Sequence, residues 1–351
     1  MHPEASLSPE LIRSWPKAEL HSHLDGAMRL ETMLDLARQQ DNMDLLPARS
    51  LEGLRAELRK IDESSDLWDY LAWFKYTIGL MQDADSLSRV AYEMAMDFAA
   101  ENVKWLEVRF GPVLHTAGGL TMDAVMEAVL DGLERANRET GIRSGIIVCA
   151  LRDRFMEASV AQAELAVRWK NRGVVAFDLA GGEAGNPAKQ HLHAFYHARN
   201  HLLNLTVHAG ESWGPESIRQ ALFFCGAHRI GHGVTLVEDP DLMQFVVDRQ
   251  IPLEVCPTSN VQTHVVASYE AHPMKRLADA GVAITINTDS RLFSHTSASG
   301  ELWMAHSRCG LTEDQTREAA LNGFRHAFLP LSERNALLEE ARKVIRPGLP
   351  A

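Results

Sequence analysis

Eight short runs rich in β-branched and apolar residues punctuate the chain, at 18–25, 105–112, 144–152, 174–181, 203–211, 229–233, 252–260 and 283–290. Several are almost continuously apolar, such as Gly145-Ile146-Ile147-Val148-Cys149-Ala150-Leu151. Runs of that kind suit strands covered on both faces, as in a parallel sheet. Between them apolar residues recur at helical spacing: Leu30, Met33, Leu34 and Ala37 in one stretch, and Ala161, Leu165, Ala166 and Trp169 in another. Eight strand–helix units in 351 residues predict an α/β fold, a (β/α)8 TIM barrel forming a single domain over 1–351. An open doubly wound sheet is the runner-up, but its Gly-rich phosphate fingerprint is missing.

One connection is oversized. Roughly 80 residues separate the first two strands, against about 30 in a simple unit. The pattern predicts an enlarged helical insertion there. Within it Leu67, Tyr70, Leu71 and Phe74 share a helical face, either as ordinary packing or as an apolar lid over the rim of the barrel.

The formal charge of −12 argues against nucleic acid or an anionic membrane as the main partner. No apolar stretch has the length of a membrane span, and the N-terminal stretch lacks the apolar run of a signal peptide. Cys149, Cys225, Cys256 and Cys309 are scattered, with no Cys-x-x-Cys, so free buried thiols in a reducing cytoplasm are expected. Nothing in the sequence sets the oligomeric state; a homo-oligomer is left open.

Chemistry gathers at the C-terminal ends of the strands, which in a parallel barrel all face the rim that hosts active sites. The first run holds His21, His23 and Asp25, at spacing two, hence on one face of a strand. The fifth ends in His208-Ala209-Gly210-Glu211, the sixth in Gly231-His232-Gly233 and the eighth in Asn287-Thr288-Asp289-Ser290. Two imidazoles on one strand face are half of a zinc site. With 16 histidines, roughly one His-x-His is expected by chance, and His191-Leu192-His193 serves as that control: on a helix its rings point apart. His21, His23 and His208 offer three nitrogens and Asp289 an oxygen, leaving an open position for a metal-activated water. Glu211 could donate a proton to a ring nitrogen, and His232 could take the proton from the water.

At these residues the chain resembles the adenosine deaminase family of the amidohydrolase superfamily, over about 16–290. Lys17 to Gly26 is similar to the family's opening motif, and Thr206-Val207-His208-Ala209-Gly210-Glu211 to its zinc-histidine and glutamate motif. Arg229-Ile230-Gly231-His232-Gly233, Asn287-Thr288-Asp289 and Val175 to Gly181 resemble three further family segments. The resemblance implies a zinc-dependent aminohydrolase with one Zn2+ per chain, ligated by His21, His23, His208 and Asp289. It implies that protonated Glu211 bonds N1 of a 6-aminopurine nucleoside and that His232 orients and deprotonates the water. The Gly181 backbone would meet N3 of the purine, Asp25 the ribose 5′-hydroxyl side, and Tyr70, Leu71 and Phe74 would form the apolar lid.

One position departs from the family pattern. A second aspartate usually follows the zinc aspartate and meets N7; here Ser290 stands in its place, shorter and uncharged. The substrate expected is adenosine or 2′-deoxyadenosine. Alternatives are a 5′-modified nucleoside such as aminodeoxyfutalosine, or adenine itself. Asp25 and Gly231, where adenine-specific relatives tend to carry glutamate and aspartate, favour the nucleoside. A cyclic-amide hydrolase with a carboxylated lysine is disfavoured because the fourth run has no lysine. A non-catalytic nucleoside-binding relative is the remaining alternative.

Overall fold

A computed structural model describes residues 6–347. Eight parallel strands follow one another in chain order: β1 Lys17–His23, β2 Val103–Phe110, β3 Arg143–Leu151, β4 Val174–Ala180, β5 Asn204–Ala209, β6 Arg229–His232, β7 Leu253–Val255 and β8 Ile284–Ile286. The sheet curls round until its ends meet. His23 N–H donates to Asp289 O (2.7 Å) and Asp289 N–H to His21 O (2.8 Å), just beyond β8. The Leu20 N–H donates to the Asn287 side chain (3.0 Å), so the seam between β8 and β1 is held by side chain and main chain together. The closed barrel with its outer helices is the fold the alternating pattern predicts.

The strands are shorter than the runs that announce them. The run at 252–260 yields only Leu253–Val255 before Pro257 starts a helix, Pro257–Gln262. Asp25 lies in the turn after β1 and not on the strand itself. Helices fill the connection 24–102, among them Leu30–Gln39, Leu51–Leu58, Leu67–Leu71, Phe74–Leu80 and Ala84–Ala99. The last is started by Asp83, whose side chain accepts the Ser86 N–H. Leu67–Leu71 and Phe74–Leu80 are separate helices, so the lid face expected as one stripe is broken at Ala72-Trp73.

The barrel core is polar along its axis and apolar outside. Val148, Ala150, Phe177, Leu179, Leu205 and Val207 are buried in the main apolar core. Charged side chains at alternate positions include Glu107 and Arg109 on β2, Asp178 on β4, Arg229 on β6 and Glu254 on β7, all buried. They pair internally: Arg109 with Asp178 (3.0 Å) and Glu254 (2.6 Å), and Arg229 with Glu107 and Glu254. Buried charges survive only when paired in this way.

The chain beyond Thr312 reads as terminal helices, and Glu313–Arg325 opens with a Thr312–Gln315 capping box and packs on β1 and β8. The segment after it does more. Phe328 packs against Ile147 and Ala176, stacks under Arg229 (3.5 Å from ring centre to guanidinium carbon), and its N–H donates to Glu107 (2.6 Å). It closes the floor of the barrel, so the opposite rim is the one left to hold a site. All four cysteines are free and buried. No helix among the described residues is long and apolar enough to cross a membrane.

Candidate active site

At the C-terminal rim the predicted donors converge. The Nε2 atoms of His23 and His208 lie 3.2 Å apart. Asp289 Oδ1 stands 3.5 Å from His23 Nε2 and 3.8 Å from His21 Nε2. His21 Nε2 is buried and has no hydrogen-bond partner. Burial holds His21 well below the usual imidazole range and His23 down at about 3, so both rings are neutral.

The far nitrogens explain which atoms face inward. His21 Nδ1 meets Glu254 Oε2 at 2.9 Å, and His208 Nδ1 meets Asp178 Oδ2 at 3.0 Å. A carboxylate accepts only, so each Nδ1 carries the hydrogen and each Nε2 presents a lone pair to the centre. His23 has no such partner among the described residues, so its Nε2 can turn a lone pair to the same centre, and the nitrogens of His21, His23 and His208 then gather round one point as the ligands of a cation do. Ligands about 2.1 Å from a tetrahedral ion are about 3.4 Å from each other, close to the separations seen. Three imidazoles and one carboxylate therefore fit a single divalent ion. The control pair behaves as expected: His191 is buried and bonded to Ser159 (2.8 Å), while His193 faces outward.

Beside this centre sit Glu211 and His232, with His232 Nε2 3.6 Å from Glu211 Oε1. Burial pushes the Glu211 carboxyl up to about 8; His208 opposes this, and Asp289 and Glu183 reinforce it. His232 and Asp289 adopt left-handed backbone conformations, at φ of 63° and 56°. Such strain at non-glycine residues costs on the order of 1–3 kcal/mol each and gathers at functional sites. Gly231 lies between two donors. A Cβ there would meet His208 Cα and His21 Cε1, each at 3.1 Å, so its absence leaves both histidines room.

A cavity of about 390 Å³ opens onto these groups. Its wall includes His23, Asp25, Tyr70, Leu71, Phe74 and Gly181, as expected, together with His208, Glu211, His232 and Asp289. Asp25 Oδ1 is buried without a partner, and burial lifts the carboxyl to about 7. Ser290 is the exception among the expected contacts: it is fully buried and is not part of the cavity wall. Its Oγ turns towards Asp289 Oδ1 (3.4 Å) and packs against Gly26, where a Cβ would lie only 2.5 Å away. Tyr70, on the wall, holds its hydroxyl 3.3 Å from Ser294 Oγ.

Several residues that shape the site do not stand out in the motifs. Glu254 and Asp178 set the histidine tautomers. Glu183 accepts the N–H groups of Gly210 (2.7 Å), Glu211 (2.9 Å) and Ser212, fixing the turn that carries Glu211. Arg152 donates to the backbone oxygen of His208. Asp178 and Glu254 carry one usable signal: each is a lone acid inside an otherwise apolar strand run.

The family model described as adenosine deaminase matches residues 16–344. The chain belongs to the adenosine deaminase family. An adenosine deaminase of Mycolicibacterium vanbaalenii is 43% identical over 352 residues, covering 96% of each chain. Among solved structures, adenine deaminase from Arthrobacter aurescens superposes with a TM-score of 0.88 at 24% identity, covering 95% of this chain and all of that one. An amidohydrolase from Burkholderia ambifaria with bound zinc gives 0.85 at 23% identity, covering 98% of this chain and 96% of the other. At those identities the two structures confirm the barrel fold and no more. The family is metal-dependent, and the His21, His23 and His208 cluster with Asp289 beside it is this chain's candidate metal site.

Proposed function

We propose that this chain hydrolytically deaminates 6-aminopurine nucleosides, adenosine and 2′-deoxyadenosine foremost, with one Zn2+ held by His21, His23, His208 and Asp289. The observation that carries the reading is the cluster of His21, His23 and His208, with Asp289 Oδ1 3.5 Å from His23 and 3.8 Å from His21, beside a carboxyl that burial keeps protonated near neutral pH. When bound, the ion lowers the pKa of a coordinated water to about 7 and so supplies the nucleophile. Nitrogen donors joined by one carboxylate suit zinc better than magnesium or calcium.

The protein's own groups do the rest. Glu211, protonated, donates to purine N1 and draws electron density from C6. His232 turns Nε2 towards the attacking oxygen and orients it. Addition at C6, as N1 takes the Glu211 proton, would give a tetrahedral carbon bearing OH and NH2. The hydroxyl proton passes to the amino group by way of the Glu211 carboxylate, the C6–N bond breaks to release ammonia, and C6 becomes a carbonyl. The proton lost when the water ionises, exchanged through solvent, restores Glu211. The unpartnered oxygen of Asp25 receives the ribose 5′-hydroxyl, the Gly181 backbone faces N3, and Tyr70, Leu71 and Phe74 exclude water over the base. Four buried, unpaired cysteines support a cytoplasmic setting.

Ammonia release from adenosine, 2′-deoxyadenosine, adenine and a 5′-extended adenosine tests the reading. Turnover of the first two, with adenine slower, is the expected result. Turnover of adenine alone, or only of the 5′-extended compound, would replace the substrate assignment.

A further inference from the structure

Behind His232 lies a chain of hydrogen bonds that leads away from the cavity to a backbone donor. The Met274 N–H donates to His272 Nδ1 (3.1 Å). His272 Nε2 meets Asn260 Oδ1 (3.2 Å), and Asn260 Nδ2 meets His232 Nδ1 (3.0 Å). All three side chains are buried, Asn260 and His232 almost completely.

The direction of every bond follows from the first. A main-chain N–H only donates, so His272 Nδ1 must accept. Burial also holds His272 down at about 3, so the ring is neutral and its one hydrogen sits on Nε2. That hydrogen points at the Asn260 amide, which must therefore turn its oxygen to His272 and its nitrogen to His232. The amide N–H then donates to His232 Nδ1. The other orientation would set the amide N–H against the His272 Nε2–H, donor against donor.

We infer that His272 and Asn260 are positioning residues whose bonds set the neutral tautomer of His232, with its hydrogen on Nε2, facing Glu211 and the attacking oxygen. His232 then offers the cavity a donor. Its Nδ1 lone pair is taken, so the ring holds the nucleophile in place and does not remove its proton through Nε2. This amends the deprotonating role that family resemblance implies for His232. The relay's kinetic consequence rests on the proposed deaminase activity; the tautomer itself does not.

Long-range 1H–15N correlation spectra of the zinc-loaded protein, labelled with 15N-histidine, read each ring nitrogen directly, whether or not adenosine is turned over. His232 is expected to show an unprotonated Nδ1 and a protonated Nε2; the reverse pattern in the unsubstituted protein would overturn the relay without any variant having to fold. Asn260→Asp keeps an acceptor for His272 but presents one to His232, drawing the hydrogen to Nδ1. Its kcat should fall by about 100-fold or more, with KM within a few-fold. His272→Leu should also lose kcat, and His272→Gln, which can both accept from Met274 and donate to Asn260, should recover most of it. Unaltered kcat in Asn260→Asp, or equal losses in the two His272 variants, would reduce the network to packing.

Discussion

Replacing Asp178 with asparagine probes how the barrel interior controls the metal centre. Asp178 Oδ2 meets both His208 Nδ1 and Arg109 at 3.0 Å, and Oδ1 accepts the Leu179 N–H at 2.7 Å. Burial opposes its ionisation, but His208 and Arg109 outweigh that and hold the carboxyl below its usual range. These partners, with the Cys149 thiol 3.5 Å from Oδ2, are all donors, and an amide has one acceptor oxygen. Asparagine must either leave the Leu179 N–H unmet or point its own NH2 at Arg109 and His208. In the latter case His208 accepts at Nδ1 and its hydrogen moves to Nε2, the atom that faces the ion. Loss of a partner of this kind weakens metal binding by about 10–100-fold, or about 1.4–2.8 kcal/mol. Arg109 keeps Glu254 and the Leu20 carbonyl, so the fold should lose less than the roughly 3–5 kcal/mol of a fully broken buried pair. Zinc affinity measured by competition with a coloured chelator should show the 10–100-fold loss in a protein that still melts cooperatively. Affinity within about two-fold of the unsubstituted protein would refute the tautomer argument.

Other outcomes follow from single groups. The donor form of Glu211 is lost as pH rises through its raised value, so kcat/KM should hold near neutrality and fall about tenfold per pH unit above about 8. Glu211→Gln should lose turnover by about 100-fold or more while keeping its zinc, as atomic absorption would show. Phe328→Ala removes the floor of the barrel beneath Arg229; thermal unfolding should report a loss of about 3–5 kcal/mol with the zinc affinity unaltered.

Much of this architecture is legible in the chain because periodicity and residue type speak for themselves. Strands buried on both faces produce runs such as 145–151, and the candidate ligands at the ends of such runs, His21, His23, His208 and Asp289, declare themselves as polar residues where apolar ones stop. Asp25, Gly181 and the lid residues reach the cavity wall as the family pattern implies. What stays hidden depends on neighbours across the barrel. Glu254 means little between Leu253 and Val255 until β1 and β2 bring His21 and Arg109 to it. Asn260 and His272 belong to connections whose shape no periodicity encodes. Ser290 is hidden for the same reason: that it packs against Gly26, fully buried beside Asp289, is set by contacts across the barrel rim. The runs also overshoot, since strand residues and rim residues share β-branched and apolar character until a proline such as Pro257 starts a helix.

The central claim is that His21, His23, His208 and Asp289 hold one divalent ion. Anomalous diffraction from crystals of the purified, zinc-saturated protein, recorded on either side of the zinc absorption edge, tests it most directly. A single strong peak about 2.0–2.2 Å from the three Nε2 atoms and an Asp289 oxygen is predicted. A zinc-saturated protein whose anomalous peak lies elsewhere, with these four side chains contacting no metal, would contradict it.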